Sequence, residues 1–282
     1  MDTRHFLSTS RVLIVAGKGG VGKSVVATTL ANAATSVGLH TLLVGIEGKK
    51  VVSGLDQRVE SLAISPGAAL SDYFDSLGLG RISRRLLAAG IVDLVASSAP
   101  GINDLLILGK IKQLERSGDW DLIIVDGPPA GQAIGLLRAP LSLRQAVGGG
   151  PIHNQAIEII EMLADPKRCR VMMVSTPELT PVSELIDTAF EIEDEIGVAL
   201  GPVVLNGIDD EPLPKNLKLN KKSELGSALT YRHDRQQRHA LACALLSQEL
   251  PLQQLRLPHL INAAAVSTEL TPAMLAAIGA LP

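Results

Sequence analysis

The strongest constraint on the fold of this chain is a glycine-rich segment near its start, Gly17-Lys-Gly-Gly-Val-Gly-Lys-Ser24. It follows an apolar run at residues 12–16 and precedes a helical pattern at residues 24–37. A strand, a glycine-rich turn and a helix in that order form the P-loop pattern, in which backbone N–H groups and a helix N-terminus hold phosphate. The segment therefore predicts a nucleotide-phosphate site on an α/β fold.

Individual loop residues can be assigned expected contacts. Lys23 is expected to reach the β- and γ-phosphates, and the Ser24 hydroxyl is expected to bind Mg²⁺. Glycines let the backbone approach the phosphates closely and adopt positive φ. The other expected nucleotide contacts come from the rest of the loop and the first helical turn, namely Gly17, Lys18, Gly19, Gly20, Val21, Gly22 and Val25. The predicted ligand is ATP or ADP with Mg²⁺.

Short, continuous apolar runs alternate along the chain with segments long enough for helices. Continuous rather than alternating hydrophobicity is typical of strands that are buried on both faces, as in a parallel sheet. The pattern predicts an α/β, doubly wound, mostly parallel sheet. The predicted strands lie at residues 12–16, 41–45, 122–125, 171–174, 203–205 and 252–257, and further helices are predicted at 151–163, 181–196 and 224–249.

Two stretches break this alternation. Residues 54–117 contain helical patterns, including 82–87 and 105–114, and no convincing strand. We interpret them as a small helical insertion in a single domain that spans residues 1–282. Residues 209–223 are polar and contain two prolines, which predicts an irregular loop.

Composition excludes several classes of protein. The net charge is −3 and only 2% of residues are aromatic, whereas nucleic-acid binders usually carry a basic excess or aromatic stacking platforms. No apolar run approaches the roughly 20 residues that span a bilayer, and the N-terminus does not resemble a signal peptide. We therefore expect a cytoplasmic protein that does not bind nucleic acid and contacts membranes only indirectly.

Asp126 is the predicted second residue of the metal site. It ends the apolar run of residues 121–126, and a carboxylate at the carboxyl end of a buried strand can support a nucleotide-bound Mg²⁺. The alternative is a solvated aspartate at a strand end. Residues 127–131 follow, and their turn-rich composition suits a switch loop, although the prolines could equally be plain turn residues.

Lys18 gives the loop the form Lys-Gly-Gly-x-Gly-Lys-Ser, with a second lysine early in the motif. This form resembles the deviant Walker A ATPases, which include MinD, ParA, the nitrogenase iron protein and the arsenite-efflux ATPases. The resemblance implies that Lys18 crosses a dimer interface to the partner's nucleotide, where a cation supplied in trans stabilises the transferring phosphoryl group. The alternative is a solvated loop lysine.

Within that group the chain resembles the ArsA family over nearly its whole length. Asp126-Gly-Pro-Pro-Ala-Gly-Gln132 is similar to the family's switch II, and Ser175-Thr-Pro-Glu178 resembles the segment after a central strand. Val203-Val-Leu-Asn206 resembles the strand whose terminal asparagine reads adenine. Pro258, followed by a histidine, falls where the family packs the base. The resemblance thus implies base contacts for Asn206 and Pro258.

Switch I departs from the family pattern. The family's aspartate that positions the attacking water is matched here by Glu47, which is longer by one methylene but has the same charge and acceptors. We expect Glu47 to position the water. Alternatively, Glu47 is a surface residue paired with Lys49 or Lys50, and the chain binds ATP but hydrolyses it slowly. Gln132 replaces the family's histidine in switch II.

The two cysteines, Cys169 and Cys243, form no Cys-x-x-Cys motif and no thiolate cluster. They are better explained as buried structural residues in a reducing compartment. Arsenite transport, a structural zinc site and an iron–sulfur bridge are therefore not expected.

The resemblance implies a Mg²⁺-dependent ATPase that acts as a nucleotide-driven dimer, either a homodimer or a heterodimer with a sister ATPase. Its insertion would control the capture and release of an unidentified protein client, hydrophobic or membrane-destined. The alternatives are a non-hydrolysing regulatory or assembly subunit and a MinD- or ParA-like positioning ATPase. Apolar residues of the insertion could bind the client or simply pack the domain, and they are Leu70, Tyr73, Phe74, Leu77, Leu86, Leu87, Ile91, Val92, Leu105, Leu106, Ile107 and Leu108.

Overall fold

A computed structural model describes residues 2–46, 53–76, 101–213, 223–260 and 266–281. Within these residues the strands form one parallel sheet. They are β1 (Val12–Gly17), β2 (Thr41–Ile46), β3 (Glu60–Ile64), β4 (Leu122–Pro129), β5 (Cys169–Ser175), β6 (Val203–Ile208) and β7 (Gln254–Pro258). The order across the sheet is β3-β2-β4-β1-β5-β6-β7, so the glycine-rich loop leaves a central strand.

Helices cover both faces of this sheet. They are α1 (Thr3–Leu7), α2 (Lys23–Ser36), α3 (Pro66–Ser76), α4 (Ile102–Ser117), α5 (Ala130–Ala146), α6 (Pro151–Ala164), α7 (Leu179–Phe190), α8 (Glu224–Glu249) and α9 (Val266–Gly279). The end of α7 continues into one π-helical turn, Glu191–Ile196.

Strand β1 shows why helices must cover both faces of the sheet. Its six residues are all buried, and neighbouring side chains of a strand point to opposite faces. Val12 and Ile14 join a core with residues of α4, α5, α6, α7 and α8. Leu13 and Val15 join a second core with α2 and α9. The predicted doubly wound, parallel α/β architecture is confirmed.

Most predicted elements are confirmed with small shifts of their ends. The six predicted strand runs all lie in or overlap observed strands, and the predicted helix at 224–249 coincides with α8. The pattern at 105–114 lies inside α4, and 181–196 is split between α7 and the π-helical turn. The pattern at 82–87 lies outside the described residues, as do residues 214–222 of the predicted irregular loop.

The expectation that residues 54–117 contain no strand is wrong. Glu60–Ile64 forms β3, which pairs in parallel with β2 at the edge of the sheet. Of its five residues only Ile64 is buried, because an edge strand with one exposed face does not need a continuous apolar run. The described helical part of this region therefore begins at α3.

The expectation of a loop at residues 127–131 is also wrong. Strand β4 continues to Pro129 and α5 begins directly at Ala130. Gly127 allows β4 to lie this close to β1, because a Cβ at that position would lie 2.5 Å from the carbonyl oxygen of Val15. Pro128 lies where the pairing of β4 with β1 shifts register, and Pro129 directly follows it. Proline is tolerated within a sheet at such an irregularity.

The two cysteines are free and differ in exposure. Cys169 is completely buried at the start of β5, and burial raises the pKa of its thiol to about 12. Cys243 on α8 is only half-buried, and burial also raises its pKa. A higher pKa means less thiolate, the form that reacts.

We expect an alkylating reagent at pH 8 to modify Cys243 of the folded protein slowly and Cys169 only after denaturation. Mass spectrometry of peptides from native and denatured samples measures this directly. A Cys243→Ala variant serves as the control, since its folded form should be unreactive. Rapid modification of Cys169 in the folded protein would contradict the burial described here.

Among the helices that the structure describes, none combines the length and the apolar character needed to cross a membrane.

Candidate nucleotide-binding site

The glycine-rich loop is tightly fitted between β1 and α2. Gly22, immediately before α2, has φ +93°, and a Cβ there would lie 2.3 Å from the side-chain nitrogen of Asn206. A Cβ on Gly17 would lie 2.2 Å from the carbonyl oxygen of Val174. Both positions therefore require glycine, as the sequence motif indicates. At Gly19 and Gly20, by contrast, a Cβ would meet nothing within 4 Å, so the top of the loop faces open space.

Lys23 is the first residue of α2 and is only 8% exposed. Its Nζ donates a hydrogen bond of 2.9 Å to the carbonyl oxygen of Lys18, across the loop. A buried ammonium group beside a helix N-terminus concentrates positive charge inside the loop. The loop is therefore built to receive an anion such as a chain of phosphates.

Ser24 and Asp126 meet although they are 102 residues apart in sequence. The Ser24 hydroxyl donates a hydrogen bond of 2.6 Å to Oδ2 of Asp126, which is 6% exposed. The contact follows from the sheet order, because β4 lies beside β1 and Asp126 is in register with Val15. The structure thus brings together the two predicted metal-site residues.

The donors at this position fit a nucleotide-bound Mg²⁺. Across the described ranges, no group of three or more His, Cys, Asp or Glu side chains could hold a metal ion alone. Mg²⁺ at a phosphate site does not need such a cage, because phosphate oxygens and water supply most of its ligands. One hydroxyl from Ser24 and one carboxylate from Asp126 match that requirement.

The two predicted base contacts lie at the same edge of the sheet. Asn206, near the end of β6, donates a hydrogen bond of 2.9 Å to the carbonyl oxygen of Val21, so it fastens the loop to this strand. Pro258 ends β7 in register with Ile208. Pro258 and His259 line a cavity of about 620 Å³ beyond the ends of β6 and β7, and Asn206 is not part of that lining.

Lys18 has a partner that sequence reasoning missed. Its Nζ lies 2.6 Å from Oε1 of Glu184 on α7. The two side chains are 41% and 48% exposed, so water reaches this ion pair. In a single chain, therefore, Lys18 does not extend freely into solvent. No signal in the sequence marks Glu184, because only the packing of α7 places it beside the loop.

Glu47, the predicted switch I residue, lies outside the described residues. The described part of β2 ends at Ile46, the residue before it. The role assigned to Glu47 stays a prediction.

The chain is similar in sequence to known ATPases. A family model described as anion-transporting ATPase matches residues 79–149. The ATPase BagA of Mycobacterium tuberculosis is 30% identical over 225 residues, which cover 71% of this chain and 66% of that protein. The chain belongs to the ArsA-type ATPase family.

Other ArsA-type relatives are more distant. A putative arsenical pump-driving ATPase of Halobacterium salinarum is 25% identical over 229 residues, covering 70% of this chain and 35% of that protein. ATPase GET3C of Arabidopsis thaliana is 25% identical over 158 residues, covering 45% of this chain and 40% of that protein. This chain thus spans just under two thirds of BagA and between a third and a half of the other two relatives.

Proposed function

We propose that this ArsA-type chain is a Mg²⁺-dependent ATPase that works as a nucleotide-driven dimer. The observation that carries the proposal is the contact between Ser24 and Asp126 beside the buried ammonium of Lys23. These groups meet at the carboxyl edge of a parallel sheet, where α/β proteins bind their ligands.

The chain's own groups can perform most of the work of phosphoryl transfer, which consists of positioning and charge stabilisation. Lys23 exchanges the Lys18 carbonyl for β- and γ-phosphate oxygens. Ser24 would hold Mg²⁺ through its hydroxyl oxygen, and Asp126 would support it through water. The metal would supply positive charge against the phosphates. Glu47 is proposed to position the attacking water.

The contact between Lys18 and Glu184 suggests how dimerisation is coupled to catalysis. An exposed ion pair stabilises a fold by only about 0–1 kcal/mol, so it is easily exchanged for a stronger contact. We propose that Lys18 leaves Glu184 when two chains meet and reaches the phosphates held by the partner. A homodimer and a heterodimer with a sister ATPase both satisfy this geometry.

The direct join between β4 and α5 suggests how the nucleotide state is transmitted. Asp126 lies three residues before the end of β4, and α5 follows without a loop. Helix α5 packs against α4 and α6. A shift of Asp126 on loss of the γ-phosphate would therefore move α5 as a unit and reach α4, the end of the proposed insertion at 54–117.

A client site remains part of the proposal, but several of its candidate residues are already occupied. The run from Leu105 to Leu108 is buried in the main core, and Leu70 and Tyr73 pack against that core. The structure does not describe the side chains of the remaining candidates, which are Phe74, Leu77, Leu86, Leu87, Ile91 and Val92. We propose that a hydrophobic or membrane-destined protein client binds through this second set, in the cytoplasm.

The expected result with purified protein is a monomer in ADP and a dimer in MgATP, with ATP turnover per chain rising as protein concentration rises. Sedimentation velocity with ADP, MgATP and a non-hydrolysable analogue measures the first, and phosphate release measures the second. EDTA should abolish both effects.

Other outcomes separate the alternatives. ATP binding without turnover at any concentration would favour a regulatory subunit that needs a sister ATPase, and addition of that sister should restore hydrolysis. Absence of ATP binding would overturn the proposal altogether.

A further inference from the structure

A second cavity, of about 320 Å³, lies between the start of α7 and the middle of α8. Thr180 lines it from α7, and Arg235, Arg238 and His239 line it from α8. None of these residues belongs to the glycine-rich loop or to the metal site. The cavity shares Arg235 with the larger cavity that Pro258 lines, so the two are neighbours.

His239 carries a buried hydrogen-bond donor without an acceptor. The residue is 5% exposed, and Nε of Arg235 donates to its Nε2 at 3.4 Å. Because Nε2 accepts, the neutral ring carries its proton on Nδ1. Burial, and then the charge of Arg235, lower the pKa of His239 and keep the ring neutral near pH 7. Among the described residues, Nδ1 has no partner. Because Nδ1 is closed to solvent in this structure, an acceptor from outside the chain reaches it only when the His239 ring turns toward the cavity.

The two arginines of the cavity have no carboxylate partner within ion-pair distance in the described part of the chain, although Arg235 donates to His239. Neither Arg235 nor Arg238 forms an ion pair there, whereas their neighbour Arg232 is held by Asp209 and Glu211. Glu178 contributes one negative charge to the lining, and its side chain is exposed to solvent. Two arginines and one glutamate thus line this cavity, and the carboxylates of Asp209 and Asp210 lie in the adjoining cavity that shares Arg235.

The first turn of α7 adds backbone donors to the same place. Glu178 is the N-cap residue, and its side chain makes no capping hydrogen bond. The first four N–H groups of a helix lack partners within that helix. Pro181 has no N–H group, so Leu179 and Thr180 supply the available donors at the mouth of the cavity.

We propose that this cavity binds an oxyanion, the phosphate or carboxylate group of a small ligand. Arg235 and Arg238 neutralise its charge. The His239 ring turns so that Nδ1–H donates to one oxygen, and the N-terminus of α7 donates to another. The cavity is larger than a single oxyanion, and Leu179 and Tyr231 are exposed at its rim. These two side chains fit an apolar or planar part of the ligand.

The site can be tested without relying on ATP hydrolysis, in a Lys23→Ala background that weakens phosphate binding at the glycine-rich loop. Inorganic phosphate and succinate are titrated separately, and NMR chemical shifts of backbone amides and histidine side chains are followed. The expected result is saturable binding with shifts at the start of α7 and at His239. Tighter binding of phosphate than of succinate identifies a phosphorylated ligand, and the reverse identifies a carboxylate.

Variants then locate the site. Arg238→Ala should weaken binding at least about tenfold, the loss expected for one hydrogen bond to a charged group. Arg144→Ala, a substitution of another exposed arginine on α5, should leave binding unchanged. His239→Leu should also weaken binding, and His239→Asn, which keeps a donor near the Nδ1 position, should recover part of it. The proposal is overturned if neither anion binds, or if Arg238→Ala and Arg144→Ala bind alike.

Discussion

Replacing Lys23 with alanine is expected to lower the affinity for MgATP by about two orders of magnitude or more and to abolish turnover. The ammonium group of Lys23 is buried inside the loop and already makes a hydrogen bond to the carbonyl of Lys18. Hydrogen bonds to charged groups contribute about 1.5–3 kcal/mol each. Loss of two such bonds to phosphate oxygens corresponds to about 3–6 kcal/mol, hence at least about a hundredfold in the dissociation constant.

Two further variants make this result specific. Lys23→Arg keeps the charge but not the shape of the ammonium group, so it should fold normally and still bind poorly. Lys167→Ala changes an exposed lysine far from the loop and should bind like the parent protein. Melting temperatures with and without MgATP report binding, because a ligand stabilises only the form that it binds. An unchanged MgATP-dependent shift in Lys23→Ala would rule out the predicted phosphate loop.

The central part of the fold could be predicted because two local signals agree. Continuous apolar runs mark strands that are buried on both faces, and the glycine-rich segment fixes which strand precedes the loop. Strand β3 carries neither signal. Its only buried residue is Ile64, and its identity as a strand depends on pairing with β2, a contact that distant residues decide.

In the candidate site, too, some contacts could be predicted from local sequence signals and others could not. The meeting of Ser24 and Asp126 could be predicted, because each residue carries its own local signal and parallel strands end at one edge. Glu184 could not be predicted, because a glutamate on a helix surface has no distinguishing pattern until the packing of α7 is known. Similarly, the apolar run from Leu105 to Leu108 does not reveal whether it faces a client or the core, and the structure places it in the core.

The pair formed by Lys18 and Glu184 leads to two predictions of opposite sign. Lys18→Ala should reduce ATP turnover by about a thousandfold, the lower end of the effect of a cation supplied in trans. Its MgATP affinity should change little, because the phosphates are held mainly by Lys23 and the loop. Glu184→Gln removes the cis partner of Lys18 and leaves the ammonium group free. Each exposed ion pair stabilises the monomer by no more than about 1 kcal/mol, and a homodimer gives up two of them. Dimerisation should therefore shift to concentrations up to about thirtyfold lower.

Turnover measured across a range of protein concentrations separates these effects. Glu184→Gln should move the midpoint of the concentration dependence while leaving the plateau unchanged, and Glu193→Gln, on the neighbouring π-helical turn, should change neither. Lys18→Ala should lower the plateau. The double variant should match Lys18→Ala, because freeing a side chain that is absent has no effect. If Glu184→Gln instead lowers the plateau as far as Lys18→Ala does, then Lys18 acts while paired with Glu184 in its own chain, and the proposed transfer of Lys18 to the partner is wrong.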